Sequence, residues 1–263
     1  MTVAAALRLT EERLAAAGVE TPNVDAELLV AHVLGVSRSQ LHAEREREVP
    51  DGLNELVERR TRREPLAYVL GEWGFRHLTL KTDARALVPR PETEIVVERC
   101  LALLAGESAP RVLDLGTGSG AIALAIADEH PGARVTAVDS SPEALALARE
   151  NSEALDLAIE LHEAGLEAAE EGWDLVVSNP PYVAASEWDS LQPEIRDWEP
   201  RAALVGEGLH EEIARRAHTL RLVLEVGDEQ AESVAAALDS LGYSNVTITS
   251  DLTDRERVVE GIR

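Results

Sequence analysis

The sequence predicts an α/β fold built on a doubly wound sheet, with a small helical region ahead of it and an antiparallel strand pair at the sheet edge. Three observations carry this. From residue 110 onward, short apolar runs rich in Val and Leu alternate with stretches whose apolar residues recur at helical spacing. The turn after the first such run, "DLGTGSGA", is crowded with glycine. Residues 2–70, by contrast, show helical patterns only.

Taken in order, "VAAALRLTEERLAAAG" reads as a helix that stops at Gly18. "NVDAELLVAHVLG" repeats the pattern, with Asn23 or Asp25 near its start and Gly35 as its stop. "SRSQLHAE" and "DGLNELVERRTRRE" follow, with Asp51 as an N-cap for the second. Arg59, Arg60, Arg62 and Arg63 form a basic cluster. A solvated helix face accounts for it; contact with an acidic or RNA-associated partner is the functional alternative. The division is therefore a helical region 1–70, a hairpin connector 71–90 ("GEWGFRHLTLKTDARALVPR") and a sheet domain 91–263. In the last, "RVLDLG", "RVTAVD", "AIELHEA", "WDLVVS" and "LRLVLEVG" read as strands separated by helices. Ser141 caps the helix "SPEALALARENSEAL", with Pro142 at its first position. "NVTITSD" and "RERVVEGI" have no helix between them, which predicts their antiparallel pairing.

Composition narrows the function classes. The chain has 263 residues, 45% of them hydrophobic, enough for a substantial core. Its formal net charge is −24, of which residues 86–263 carry −22. Such a body repels phosphate backbones, so no nucleic-acid footprint is expected. Solubility or a saline habitat explains the magnitude. Lys81 is the only lysine. A single cysteine, Cys100, excludes an internal disulfide and sits where a buried packing role is expected. No segment approaches membrane-spanning length and the N-terminus lacks a cationic start before an apolar run, which predicts a soluble cytoplasmic protein without membrane contact. The seven His are scattered, so no metal site is expected.

Two motifs carry chemistry. Gly116, Gly118 and Gly120, with Thr117 and Ser119 between them, allow a tight turn and close approach of a ligand to the backbone. Asp139 ends the next strand, where a carboxylate can accept from ribose hydroxyls. With Ala121 as third small residue the turn also satisfies the loose dinucleotide pattern. The second motif, "SNPPYV", follows the strand "WDLVV". Proline fixes its own φ and keeps the preceding residue out of helix, so Asn179, Pro180 and Pro181 run extended into the cleft. That sets the Asn179 side-chain oxygen beside the Pro180 carbonyl. Two acceptors suit a planar –NH2 group, and Tyr182 adds an aromatic wall.

"DLGTGSG" with "NPPY" resembles the amino-methyltransferases. "REPLAYVLGEWGFRHL", "LVPRPETEIVVE" and the ending "DLTDRERVVEG" narrow the likeness to the release factor glutamine methyltransferases over essentially the whole chain. The resemblance implies a Rossmann-like class I methyltransferase sheet and S-adenosylmethionine as cofactor. It implies methylation of the side-chain amide N5 of the glutamine in the GGQ motif of peptide chain release factors, by a monomer whose helical region recognises the protein substrate. Gly116 to Gly120, Asp139, Glu163, Ala164 and Asn179 would then hold the cofactor. Asn179 to Tyr182 would grip the glutamine, and Arg90 and Glu92 of "PRPETE" would border the site. Tyr182 would contact the methylsulfonium by cation–π attraction. Alternatives are the ribosomal-protein glutamine methyltransferases, which share both motifs, a nucleic-acid amino-methyltransferase, and a binding module without catalysis. The chain departs from the family pattern at Ala164, where an aromatic is usual, in the short "RAHTLRL" crossover, and at "VGEG" in "PRAALVGEG".

Overall fold

The structure is a computed structural model that describes residues 1–41 and 43–263. Two compact units divide the chain, Met1–Glu72 with Gln192–Trp198, and Trp73–Leu191 with Glu199–Arg263.

The first unit is helical, with α1 (Val3–Ala16), α2 (Pro22–Leu34), α3 (Arg38–Leu41), α4 (Leu53–Thr61) and α5 (Leu66–Leu70). The helical reading of "SRSQLHAE" extends to His42, which lies outside the described residues. Val3, Leu14, Leu29, Val30 and Val57 fill the core of this unit. Gly52, not the expected Asp51, occupies the cap position of α4. The stretch 192–198 joins this unit for an electrostatic reason. Glu194 accepts from Arg60 Nη2 at 2.8 Å and from Arg63 Nε and Nη2 at 2.6 and 2.7 Å, and Arg60 Nε also reaches Asp25 at 2.7 Å. Arg59 pairs with Glu64 and donates to the Tyr68 carbonyl at 2.8 Å, so three of the four clustered arginines are partnered, not simply solvated.

The second unit holds the hairpin β1 (Glu72–Phe75) and β2 (Leu78–Lys81), then α6 (Thr93–Leu103), β3 (Arg111–Leu115), α7 (Ala121–Glu129), β4 (Arg134–Asp139), α8 (Pro142–Leu155), β5 (Glu160–Glu163) and β6 (Leu175–Ser178). The short α9 (Pro193–Arg196) belongs to the helical unit; α10 (Leu209–Arg216), β7 (Arg221–Glu225), α11 (Ala231–Ser240), β8 (Ser244–Ser250) and β9 (Glu256–Ile262) complete the sheet unit. The hairpin read as a connector packs with the sheet unit: Asn151 of α8 accepts from Lys81 N at 2.7 Å and donates to its carbonyl at 3.2 Å.

The sheet order is β5-β4-β3-β6-β7-β9-β8. β5 to β7 run parallel, while β9 pairs antiparallel with both β7 and β8. Strand alternation sends Val112, Leu175, Val177 and Val223 to a core under α6 and α7. Leu113, Val176, Leu222 and Leu224 face the opposite core, with Ile213 and Leu238 from α10 and α11. Cys100 is buried in the first of these cores, as expected, and burial pushes its thiol well up. Among the described residues, no helix is long and apolar enough to cross a membrane and no cluster of metal-ligating side chains occurs.

Candidate active site

Loops leaving the carboxyl ends of β3, β4, β5 and β6 surround a cavity of about 440 Å³, within the ordinary range for a bound small molecule. Its floor is the glycine turn. Gly116 and Gly118 adopt φ 79° and 57°, the left-handed region that other residues enter only with strain. The N–H groups of Gly116 and Thr117 both donate to the Val138 carbonyl at 2.9 Å, tying the turn to β4. Ser119 also lines the cavity. Gly120 does not. A Cβ there would come within 3.1 Å of Leu124 and 3.3 Å of Ala148, so this glycine lets α7 pack closely on α8. Below the turn, Asp114 accepts from the Thr117 hydroxyl at 2.6 Å and from Ala123 N at 3.2 Å. Burial pushes its carboxyl up to about 7.

Asp139 lines the cavity at the end of β4. It accepts from Gly118 N on one oxygen and Ser141 N on the other, both at 2.9 Å. Each oxygen retains a lone pair for a ligand hydroxyl. Ala164 lines the wall after β5, followed by Gly165 and Leu166, whereas Glu163 is exposed and not among the lining residues.

At the end of β6 the Ser178 hydroxyl donates to the Leu115 carbonyl at 2.6 Å, fixing the strand against β3. Asn179, Pro180 and Pro181 follow along the cavity. Asn179 Nδ2 donates to the Thr93 hydroxyl at 3.3 Å, which leaves Oδ1 to accept. Among the described residues, no donor reaches the Pro180 carbonyl. A Cβ on Gly206 would come within 2.6 Å of the Pro181 carbonyl oxygen, so the "VGEG" crossing needs a residue without a side chain there. Arg90 also lines the cavity and reaches buried Glu199 at 2.6 Å, which accepts Val88 N at 3.3 Å as well. Glu92 stands outside the lining.

Two family models match the chain: the PrmC N-terminal domain over residues 5–71 and the methyltransferase small domain over residues 93–195. The release factor glutamine methyltransferase of Caulobacter vibrioides is 38% identical, with 100% of this chain and 97% of that protein covered. That of Deinococcus radiodurans is 41% identical, with 95% of each covered. The chain belongs to the release factor glutamine methyltransferases. Among solved structures, the T. Thermophilus 16S rRNA N2 methyltransferase in complex with AdoMet and guanosine superposes with a TM-score of 0.52 at 18% identity, covering 73% of this chain and 49% of that one. That likeness concerns the fold alone.

In this member of the release factor glutamine methyltransferases, Tyr182 takes a different place from the wall expected of it. Its ring packs so closely on Gly227 that a Cβ there would sit 2.9 Å away, and it stacks on His210 with centroids 6.3 Å apart. Tyr182 is not among the lining residues; its ring faces Gly227 and His210 instead. Sequence reasoning missed three residues near the site. Thr93 hides in "PRPETE", Glu199 gives no motif, and Glu225 was visible only as an acid ending the apolar run "LRLVLEVG". Glu225 is completely buried, and neither carboxylate oxygen has a hydrogen-bond partner among the described residues.

Proposed function

We propose that this chain transfers a methyl group from S-adenosylmethionine to the side-chain amide N5 of a glutamine in peptide chain release factors, in the cytoplasm. One observation supports this above all: Asn179 Oδ1 and the Pro180 carbonyl, two acceptors, stand beside a cavity floored by the glycine turn and edged by Asp139. The named activity of the full-length relatives points the same way.

The cavity suits the cofactor. Open space lies beyond Gly116, where an added Cβ would meet nothing within 4 Å. Asp139 would accept from the ribose, and Ala164 and Leu166 offer apolar contact where the family's usual aromatic is missing. When bound, the cofactor supplies a methyl group on a positively charged sulfur. The amide nitrogen of glutamine is a poor nucleophile because its lone pair is delocalised. Asn179 and Pro180 accept its two hydrogens, so the developing lone pair is oriented without a strong base. Both contacts are acceptors, so they also favour the positive charge that grows on the nitrogen. The surplus proton leaves to solvent.

The helical unit is assigned to recognition of the protein substrate. A chain beginning at Trp73, which keeps the hairpin with the sheet unit, should bind cofactor and lose turnover on an intact release factor; full turnover would remove that role. The activity itself is tested by radiolabelled methyl transfer to release factors, ribosomal proteins and DNA in parallel. Label on the release factor glutamine is expected, and label only on another substrate would overturn the reading.

A further inference from the structure

We infer that Thr93 and Glu225 are positioning residues for Asn179: Thr93 fixes which end of the Asn179 amide faces the cavity, and Glu225 holds the Thr93 hydroxyl. The inference deepens the function proposed above and rests on it for its catalytic consequence.

Three elements converge on this point. Thr93 is the first residue of α6, Asn179 follows β6, and Glu225 ends β7. Pairing of Ser178 with Leu224 sets residues 179 and 225 side by side. Alternation directs both toward α6, since Val177 and Val223 share the core of Val96 and Val97.

The oxygen and nitrogen ends of an Asn amide have nearly the same shape, so a neighbour must decide which faces a ligand. Here Nδ2 donates to Thr93 Oγ1 at 3.3 Å. The Thr93 hydroxyl then needs an acceptor for its own proton. Glu225 is the fully buried acid beside it: the Thr93 hydroxyl bears on its carboxyl, yet neither oxygen meets hydrogen-bond geometry with any partner among the described residues. A buried acid left unpaired costs the fold, so its retention calls for an explanation. An ionised Glu225 only accepts, so Thr93 turns its proton toward the acid and keeps lone pairs for Asn179. A protonated Glu225 donates to Thr93, which frees the hydroxyl to donate to Asn179 Oδ1. The amide then turns round and presents its N–H groups to the cavity, the wrong polarity for an –NH2 substrate.

The charged and titratable groups facing Glu225 are Glu92 and Arg90 ahead of α6, Arg257 of β9 and Tyr182 after β6. His210 of α10 meets the Glu225 carbonyl at 2.8 Å through Nε2, and burial holds its pKa down. Burial is the largest influence on the Glu225 carboxyl and pushes it up to about 7, with the Thr93 hydroxyl acting in the opposite sense.

The test has two readouts on the full chain. In nitrogen-15 NMR of the deuterated protein, the Asn179 side-chain amide is identified by its loss in Asn179→Asp. Its shift should titrate near neutral pH in the wild type and stop titrating in Glu225→Gln. Thr93→Val should abolish the bonded shift and Thr93→Ser should restore it. In methyl transfer, Thr93→Val and Glu225→Gln should lower kcat, by up to about 10²-fold, with KM for S-adenosylmethionine within about twofold, whereas Thr93→Ser should stay near wild type. An Asn179 resonance indifferent to pH and to both substitutions overturns the inference, as does unchanged kcat or a loss matched by equal loss of cofactor affinity. Should Thr93→Val fail to fold, Glu225→Gln decides. A wild-type protein that methylates no release factor would sink the proposed function, while the resonance still decides the positioning.

Discussion

Replacing Asn179 by Ala removes one acceptor of the pair and leaves the Pro180 carbonyl in place. Cofactor affinity should change little, because the glycine turn and Asp139 remain, while single-turnover methyl transfer should fall ~10²–10³-fold. Asn179→Asp keeps an acceptor of the same shape and should retain part of the rate. Equal inactivity of the two variants, with cofactor and substrate still bound, would refute the two-acceptor account. Asp139→Ala tests a neighbouring residue with two jobs. Its carboxylate joins the glycine turn to the start of α8 through Gly118 N and Ser141 N. Titration calorimetry should therefore show cofactor binding weakened by ~1.5–3 kcal/mol, and thermal melting should show a lower Tm. An unchanged affinity would remove Asp139 from the binding site.

At the scale of elements, Gly120 governs how α7 meets α8. Its φ of 86° and the 3.1 and 3.3 Å approaches to Leu124 and Ala148 make Gly120→Ala strained and overpacked together. The expected cost is about 1–3 kcal/mol in urea unfolding; no loss of stability would contradict the packing role. The same scale shows what was legible beforehand. The β3–turn–α7–β4 unit and the Ser141 cap of α8 were readable because periodicity, glycine and capping are local to the chain. The glycine turn and the proline pair were readable for that reason too. The insertion of β9 between β7 and β8 was not, since strand order is decided by partners distant in sequence. Glu194 joined the helical unit because Arg60 and Arg63 hold it, pairings across 134 and 131 residues of sequence. Thr93, Glu225 and the direction of Tyr182 escaped notice because they acquire meaning only when β6, β7 and α6 lie side by side.

For the molecule as a whole, pH dependence follows from two buried acids. Asp114 and Glu225 are each pushed by burial to about 7, from ordinary values of 3.8 and 4.5. As pH rises through that window, the unfolded chain has already lost protons that the native state still holds, so native stability falls. Below the window the balance reverses. Arg76 holds Glu129 down, and Arg63 and Arg60 hold Glu194 down against its burial, so their contributions vanish on acidification. The net charge of −24 adds self-repulsion at neutral pH. Scanning calorimetry of the ligand-free protein should give a higher Tm near pH 5.5 than at pH 8, and added salt should raise the Tm at pH 8. A Tm that climbs from pH 5.5 to 8 would contradict the burial assigned to these acids.

The placement of β6 has a kinetic consequence. Its neighbours are recruited from afar: the Ser178 hydroxyl closes on a carbonyl 63 residues earlier in the chain, and β7 lies beyond a long crossover. Closing such loops costs entropy before any contact repays it. The β8–β9 hairpin and the individual helices face no such delay. During refolding from denaturant, the far-ultraviolet circular dichroism should recover ahead of cofactor binding, and the lag should lengthen when Ser178→Ala weakens the β6–β3 closure. Simultaneous recovery of both signals would show that β6 docks early. Until it docks, Asn179 and the two prolines are an ordinary stretch of loop with nothing to recognise.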